Sequence, residues 1–293
     1  MKISEGDLVY IIFDKRRKYI KMVESGKEFH SDRGYVRYKD LIGKEFGITV
    51  KTEPYGHKAF ILKPLPSDII MKMGRASQII YPEDIGLILM YTGISPGYNV
   101  LEAGCGSGSL TSMMALHVQP MGHIYSYDIR EKAIKQARKN LKKIGVADYA
   151  TIELRDIVRE ELSHRDMDVV MLDLATPWLV IPKAYKYLKK SGVLCSFSPV
   201  IEQVKKTHEA MRKSGFYEIE TYELIKRQIQ VKKSMNATRP MSRMVGHTGY
   251  LTFGRKIVIK YKGKIPKKPE KEEYVDMFID FKLYKENDDE NSQ

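Results

Sequence analysis

The stretch VLEAGCGSGSLT, Val100–Thr111, decides the fold. An apolar run stops at Gly104, glycines alternate with small residues through Gly108, and an apolar-periodic segment begins at Ser109. That order reads as a strand, a glycine-rich turn and the opening of a helix. Glycine adopts backbone angles that side chains forbid, and its missing Cβ lets a ligand touch the main chain. The spacing then separates two kinds of ligand. A dinucleotide fingerprint needs G-x-G-x-x-G, with the last glycine packing helix on strand. Here the glycines are Gly104, Gly106 and Gly108, and residue 109 is serine. Glu102 stands two places before the first of them. A carboxylate there repels a pyrophosphate and suits a ligand that carries an ammonium group. A tight structural turn without a ligand is the plain alternative.

Outward from the loop, short apolar strands alternate with helical patterns, the mark of a parallel sheet covered by helices. YNVLEA is a strand and SLTSMMALHV a helix; HIYSYDI is a strand and REKAIKQARKNLKKIG a helix. In the second helix Ile134, Ala137, Leu141 and Ile144 share one face, and Gly145 is the residue that stops it. ATIELRD and MDVVMLDL follow as strands, IPKAYKYLKKSG as a helix, GVLCSFSP as a strand and VIEQVKKTHEAMRKSG as a helix. YEIETYELIKRQIQV and TGYLTFGRKIVIKYK close the fold as strands.

Ligands of open α/β sheets bind beyond the carboxyl ends of the strands. Asp128 ends the strand after the loop, twenty residues past Gly108, where a carboxylate accepts from both hydroxyls of a ribose. Asp156 ends ATIELRD, within reach of an adenine amine, and Asp173 ends the fourth strand. Each acid alone is also an ordinary solvated loop residue. Together with Glu102 they outline one pocket. S-Adenosylmethionine fits it, because that molecule carries an ammonium and a sulfonium and no phosphate.

The first 63 residues are different: DLVYIIF, KYIKMV, YVRYKDLI, GITVKT and KAFILK are short strands punctuated by glycines, a small β-barrel or sandwich. KPLPSD, Lys63–Asp68, marks the boundary, since two prolines break ladders and helices alike. The chain is thus expected to divide into residues 1–66, residues 67–264 and a charged, partly disordered tail, residues 265–293. Net charge is +13, from 50 basic and 37 acidic residues, which favours an anionic partner and nucleic acid first. A basic face without such a partner is the alternative. Cys105 and Cys195 lie far apart, which fits a reducing cytosol and argues against disulfides or a zinc site, so no metal is expected. The charged N-terminus is unlike a signal peptide, and the run IGLILMYTGI, Ile85–Ile94, falls short of the ~18 residues of a membrane span. A cytoplasmic protein without membrane contact is the expectation.

Three segments, RASQIIYPEDIGLILMYTGISPGYNVLEAGCGSGSLT (Arg75–Thr111), LDLATPW (Leu172–Trp178) and RPMSRMVGHTGYLTFGRK (Arg239–Lys256), resemble the tRNA (adenine-N1)-methyltransferases that act on position 58 of the T loop. The resemblance spans nearly the whole chain short of the tail. It implies S-adenosylmethionine as cofactor, tRNA as partner, a homotetramer, and a class I methyltransferase fold, Rossmann-like, whose last strand is reversed, behind a small N-terminal barrel. For archaeal members it implies adenine 57 as a further target. By the same resemblance Glu102, Gly104, Gly106, Gly108, Ser109 and Leu110 form the cofactor loop. Asp128 holds the ribose, where the family more often has Glu, and Asp156 the adenine. Gln78 and Tyr81 line the cofactor and target pocket, and Asp173 is the active-site acid. The family commonly has proline after the Asp-Leu pair, where this chain has Ala175, so the loop is expected to be less stiff.

Adenine N1 has an in-plane lone pair and is unprotonated near neutral pH, so direct in-line attack on a sulfonium methyl needs little proton chemistry. Catalysis then rests on alignment and on stabilising the developing cation, with Asp173 accepting from the adenine amine. Several residues keep two readings. Tyr81 either shapes the target slot or is a core tyrosine. His247 reaches the pocket or is a structural hydrogen-bonding histidine. Trp178 stacks on a base or packs in the core. Arg239, Arg243 and the tracts KRRKYIK (Lys15–Lys21) and KRQIQVKK (Lys226–Lys233) contact phosphates or are solvated charges. The competing functions are a protein (isoaspartyl-type) or small-molecule methyltransferase, a non-catalytic tRNA-binding subunit, and, weakest, an NAD-dependent enzyme.

Overall fold

A computed structural model describes residues 1–76, 78–231 and 238–258. The expected tail, the end of the strand begun at TGYLTFGRK, and Lys232 and Lys233 of the second basic tract lie outside the described residues.

Strands β1 (Leu8–Ile12), β2 (Lys18–Met22), β3 (Glu28–Ser31), β4 (Gly34–Arg37), β5 (Ile48–Lys51) and β6 (Lys58–Leu62) precede the first helix. One antiparallel sheet runs β2-β1-β6-β5, and β3 pairs with β4 as a hairpin. Val9, Ile11 and Ile61 of the sheet share a core with Phe29 and Val36 of the hairpin. The strand expected over YVRYKDLI stops at Arg37, where a 3-10 turn at Tyr38–Asp40 buries Tyr38 instead.

Helix α1 (Pro66–Lys72) opens on a proline, which is pre-set for a first helical turn, and the backbone N of Leu65 donates to the Asp68 carboxylate at 2.9 Å. Then come α2 (Pro82–Thr92), β7 (Asn99–Ala103), α3 (Ser109–Val118), β8 (His123–Asp128), α4 (Glu131–Ile144), β9 (Ala150–Leu154) and β10 (Met167–Leu172). The chain continues through α5 (Ile181–Tyr187), β11 (Leu188–Ser198), α6 (Ile201–Ser214), β12 (Phe216–Glu223), the short pair β13 (Ile229–Gln230) and β14 (Arg239–Pro240), and β15 (Tyr250–Lys256). A seven-stranded sheet runs β12-β15-β11-β10-β7-β8-β9. β11, β10, β7, β8 and β9 are parallel, while β15 runs against both β11 and β12. This is the class I methyltransferase fold with its reversed last strand.

The alternation of a strand sends successive side chains to opposite faces. Val100, Val169, Met171 and Cys195 therefore meet α2, α3 and α4, while Leu101, Val170, Leu172 and Leu194 meet α5 and α6. Every residue of β10 is buried, as expected for a strand with helices on both sides. α4 ends at Gly145 in the left-handed conformation, φ 81°, and buries Ala133, Ile134, Ala137 and Leu141. Two expected boundaries move. The helix read through Gly192 ends at Tyr187, because Leu188 already pairs with Met167 and begins β11. The strand read through Val231 ends at Glu223, where β12 leaves the sheet.

Candidate functional site

The glycine loop leaves β7 at the carboxyl edge of the sheet and is bound on three sides. Gly104 has φ 91°, and a Cβ there would lie 2.0 Å from the carbonyl oxygen of Asp173. Only glycine lets the ends of β7 and β10 approach so closely, and the Asp173 N closes the contact by donating to the Ala103 carbonyl at 2.8 Å. Gly108, φ 75°, stands before α3 with Ala137 and Leu141 of α4 about where a Cβ would go, at 3.0 and 2.9 Å. The Gly106 N points to the next strand and donates to Asp128 at 3.0 Å. Ser109 and Leu110 are the first residues of α3, so their N–H groups fall in the turn that has no partners inside a helix. Leu110 itself is core.

Glu102 lies under this loop. It is 1% exposed, and its Oε2 accepts from Thr111 Oγ1 and Ser126 Oγ, both at 2.5 Å. It is therefore not part of the cleft surface. Burial pushes its carboxyl up to about 7; the two hydroxyls pull the other way, and Asp173 and Asp128 add to the rise. Asp173 is half-buried at the end of β10, raised to about 6 by burial, lowered in part by Arg130 and raised again by Asp128. Asp128, at the end of β8, goes the other way. Its burial would raise it, but hydrogen bonds from Arg130 and from the Gly106 N outweigh that and hold it below the usual range. Three carboxylates at three adjacent strand ends thus carry different proton affinities because their neighbours differ.

Asp156 lies two residues past β9, not at its end, and its Oδ1 accepts from the Val158 N at 3.0 Å. Gln78 is exposed, and Tyr81 is half-buried in the position before α2, its carbonyl accepting from the Ile85 N at 3.0 Å. This lead-in segment is fastened to the loop: the Ala76 N donates to Ser107 Oγ at 2.8 Å. Buried Asn140 of α4 donates from Nδ2 to the carbonyls of Gly74 and Ser107, each at 2.8 Å. The sequence reading missed Asn140, whose signal was an amide set into the apolar face of α4. It also missed Arg130, which pairs with Asp128 two residues before it.

The remaining candidates sort by their contacts. His247 Nε2 lies 2.9 Å from the Pro199 carbonyl oxygen and Nδ1 2.6 Å from the Glu223 carboxylate, so both ring nitrogens face acceptors, and these partners raise its pKa. Trp178 is half-buried in a 3-10 turn with Lys206 Nζ 4.7 Å from its ring centre. The Ala175 carbonyl accepts from Gln203 Nε2 at 2.9 Å. In the first basic tract Arg17 is paired with Asp14 and Asp32, and in the second Lys226 is paired with Glu83 at 2.6 Å. Arg239 and Arg243 are exposed. A groove of about 660 Å³ beside Tyr98, Asp168 and Arg255 opens at the opposite edge of the sheet and holds none of these acids.

Bare backbone at Gly104 and Gly106, a ribose-type acid on β8 and a half-buried carboxylate on β10 fit an adenosyl ligand bearing positive charge. This is the cleft of an S-adenosylmethionine-dependent methyltransferase. Residues 57–238 match the family described as tRNA methyltransferase complex GCD14 subunit, and residues 2–50 match the TrmI-like N-terminal family. The tRNA (adenine(57)-N(1)/adenine(58)-N(1))-methyltransferase TrmI of Methanocaldococcus jannaschii is 37% identical over 270 residues, covering 84% of this chain and 94% of its own. A Dictyostelium discoideum tRNA (adenine(58)-N(1))-methyltransferase catalytic subunit is 30% identical over 301 residues, covering 86% and 96%. Among solved structures, an S-adenosylmethionine-dependent O-methyltransferase from Thermotoga maritima superposes with a TM-score of 0.78 at 31% identity over 89% of this chain and 97% of that one. The tRNA (m1A58) methyltransferase TrmI from Aquifex aeolicus follows at 0.72 and 26%, over 88% and 100%. The chain belongs to the tRNA (adenine-N1)-methyltransferase family, and its methyl donor is S-adenosylmethionine.

Proposed function

We propose that this protein methylates N1 of adenine 58 in the T loop of tRNA, and of adenine 57 as its Methanocaldococcus jannaschii relative is named for. The observation that carries the reading is the placement of Asp173, half-buried at the end of β10, its carbonyl against Gly104 of the cofactor loop. Bound S-adenosylmethionine would supply an electrophilic methyl on its sulfonium, with the neutral thioether as leaving group.

The chain's own residues do the rest. The backbone of Gly104, Gly106 and Gly108, with Ser109 and Leu110, floors the cofactor site, and Glu102 beneath it lends negative charge as it ionises above about pH 7. Asp128 accepts from the ribose hydroxyls and Asp156 from the cofactor's adenine amine, with Gln78 beside them. Asp173 accepts from the exocyclic amine of the target base, turns N1 toward the donor and faces the positive charge that the ring gains. Tyr81 borders the slot for that base. No base has to remove a proton before attack. An O-methyltransferase, as the Thermotoga maritima neighbour is described, would need one for its hydroxyl. The T-loop base must swing out of the elbow of folded tRNA at a cost of about a few kcal/mol. Contacts from basic residues to phosphates offset that cost, and the excess of 50 basic over 37 acidic residues supports them.

The same reading takes the protein as a cytoplasmic homotetramer, divided into a β-rich unit at 1–66, a methyltransferase unit at 67–264 and a tail at 265–293. The first helix at Pro66 supports the first boundary. Light scattering of the purified protein tests the tetramer, and a monomer would refute it. Labelled S-adenosylmethionine offered with unmodified tRNA, and separately with an isoaspartyl-containing protein, tests the substrate. Label is expected in the RNA alone; label in the protein would overturn the proposal.

A further inference from the structure

The acid assigned to the cofactor ribose is not open to it. Asp128 Oδ1 accepts from the backbone N and the Nε of Arg130, at 2.9 and 3.1 Å, and Oδ2 accepts from the Gly106 N and from Arg130 Nη2, at 3.0 and 3.1 Å. A carboxylate offers about four lone-pair positions, and four N–H donors already fill them. The Asp128 side chain is 3% exposed, while the Arg130 side chain that caps it is 54% exposed. Two of the four donors are backbone and belong to the loop and the turn. The other two sit on a flexible side chain at the mouth of the cleft, in the bidentate fork that Arg makes with carboxylates.

We infer that Arg130 competes with the cofactor's ribose for Asp128 and thereby sets how tightly the adenosyl group is held. This inference rests on the ribose assignment of Asp128 proposed above. To bind, the two ribose hydroxyls replace Nε and Nη2 of Arg130 on Oδ1 and Oδ2, while the backbone donors from Gly106 and Arg130 stay. The guanidinium swings outward into solvent. On release of the demethylated product the fork closes again, so the free site never exposes a bare buried carboxylate.

The test measures the affinity of S-adenosylhomocysteine and of its 2′,3′-dideoxy analogue by calorimetry, with wild type, Arg130→Met and Arg130→Lys. Methionine keeps the aliphatic stem and removes the donors. For S-adenosylhomocysteine, Arg130→Met should bind roughly three- to thirty-fold tighter than wild type, the range spanned by an exposed ion pair and a charge-assisted hydrogen bond. Arg130→Lys, with a charge but no fork, should fall between. The dideoxy analogue, lacking the hydroxyls that need Asp128, should gain nothing from either substitution. Equal or weaker binding of S-adenosylhomocysteine by both variants, with unchanged melting temperatures, overturns the inference. An equal gain for the dideoxy analogue also overturns it, since the effect would not pass through the ribose. Should wild type and variants alike favour the dideoxy analogue, the ribose assignment itself fails and the inference with it.

Discussion

Glu102→Gln isolates the buried charge under the cofactor loop. Burial raises this carboxyl from 4.5 to about 7, against the opposing pull of Ser126 and Thr111. The folded protein therefore keeps the proton to higher pH than the unfolded chain does. The stability this lends is full below about pH 4.5 and is lost as pH rises through about 7. At about 1.4 kcal/mol for each pH unit, the loss is about 3 kcal/mol. Glutamine copies the protonated form: its carbonyl still accepts from both hydroxyls, and it has no charge to desolvate. Thermal melts of wild type and variant at pH 5 and pH 8.5 give the comparison. Wild type should lose about 3 kcal/mol more than the variant between those pH values, roughly 6–12 °C in midpoint for a chain of this size. Acids that are not coupled to Glu102 titrate alike in both proteins and drop out of the difference. Parallel pH profiles would refute the reasoning, as would a variant less stable than wild type at pH 8.5.

Asp173→Asn should lower kcat roughly 10²- to 10³-fold with little change in cofactor affinity, because it removes the acceptor that faces the developing charge; unchanged turnover excludes the role. The wild-type rate should fall as pH drops through about 6, where Asp173 takes up its proton, and a rate flat from pH 8 to pH 5 would contradict that. Gly104→Ala should cost about 2–5 kcal/mol, from the left-handed backbone and the 2.0 Å approach to Asp173, and should abolish cofactor binding; a stable variant that binds normally argues against the close approach. Asn140→Ala leaves the Gly74 carbonyl without its buried donor and should cost about 1–3 kcal/mol in urea melts, with weaker cofactor binding; an unaffected affinity would show that the lead-in segment does not steady the loop. Affinity for tRNA should drop steeply between 50 and 200 mM salt, and a flat profile would remove the phosphate contacts from the account.

The strand–loop–helix core was legible because glycine spacing is a local property. Gly104 and Gly108 are needed where they stand by their close approaches to Asp173 and to α4. Asp128 and Asp173 were legible as the acids where β8 and β10 stop, because each apolar run gives out there, whereas Asp156 lies two residues past the end of β9. What failed was non-local. Lys189–Gly192 read as the end of a helix, yet Leu188 pairs with Met167, Lys189 pairs with Asp168, and Lys256 Nζ donates to the Leu188 carbonyl at 2.6 Å. Those partners lie at least 21 residues away in sequence, and no window of local pattern contains them. The reversal of β15 likewise came from family resemblance, since alternation alone does not give strand direction. Glu102 was read as a pocket acid two places before the loop; the fold buries it in β7 beneath the loop. The sequence does not show that Thr111 and Ser126 turn two hydroxyls toward it. Arg130 and Asn140 act through Asp128, Gly74 and Ser107, and only the folded chain brings those together.

The most direct measurement is to incubate the protein with S-adenosylmethionine and an unmodified tRNA transcript, digest the RNA and locate the methylated nucleoside by mass spectrometry. N1-methyladenosine at position 58, accompanied by position 57, is the predicted result, and it should vanish with Asp173→Asn. Methylation at another base or another atom of adenine, or none while the cofactor binds, would contradict the account.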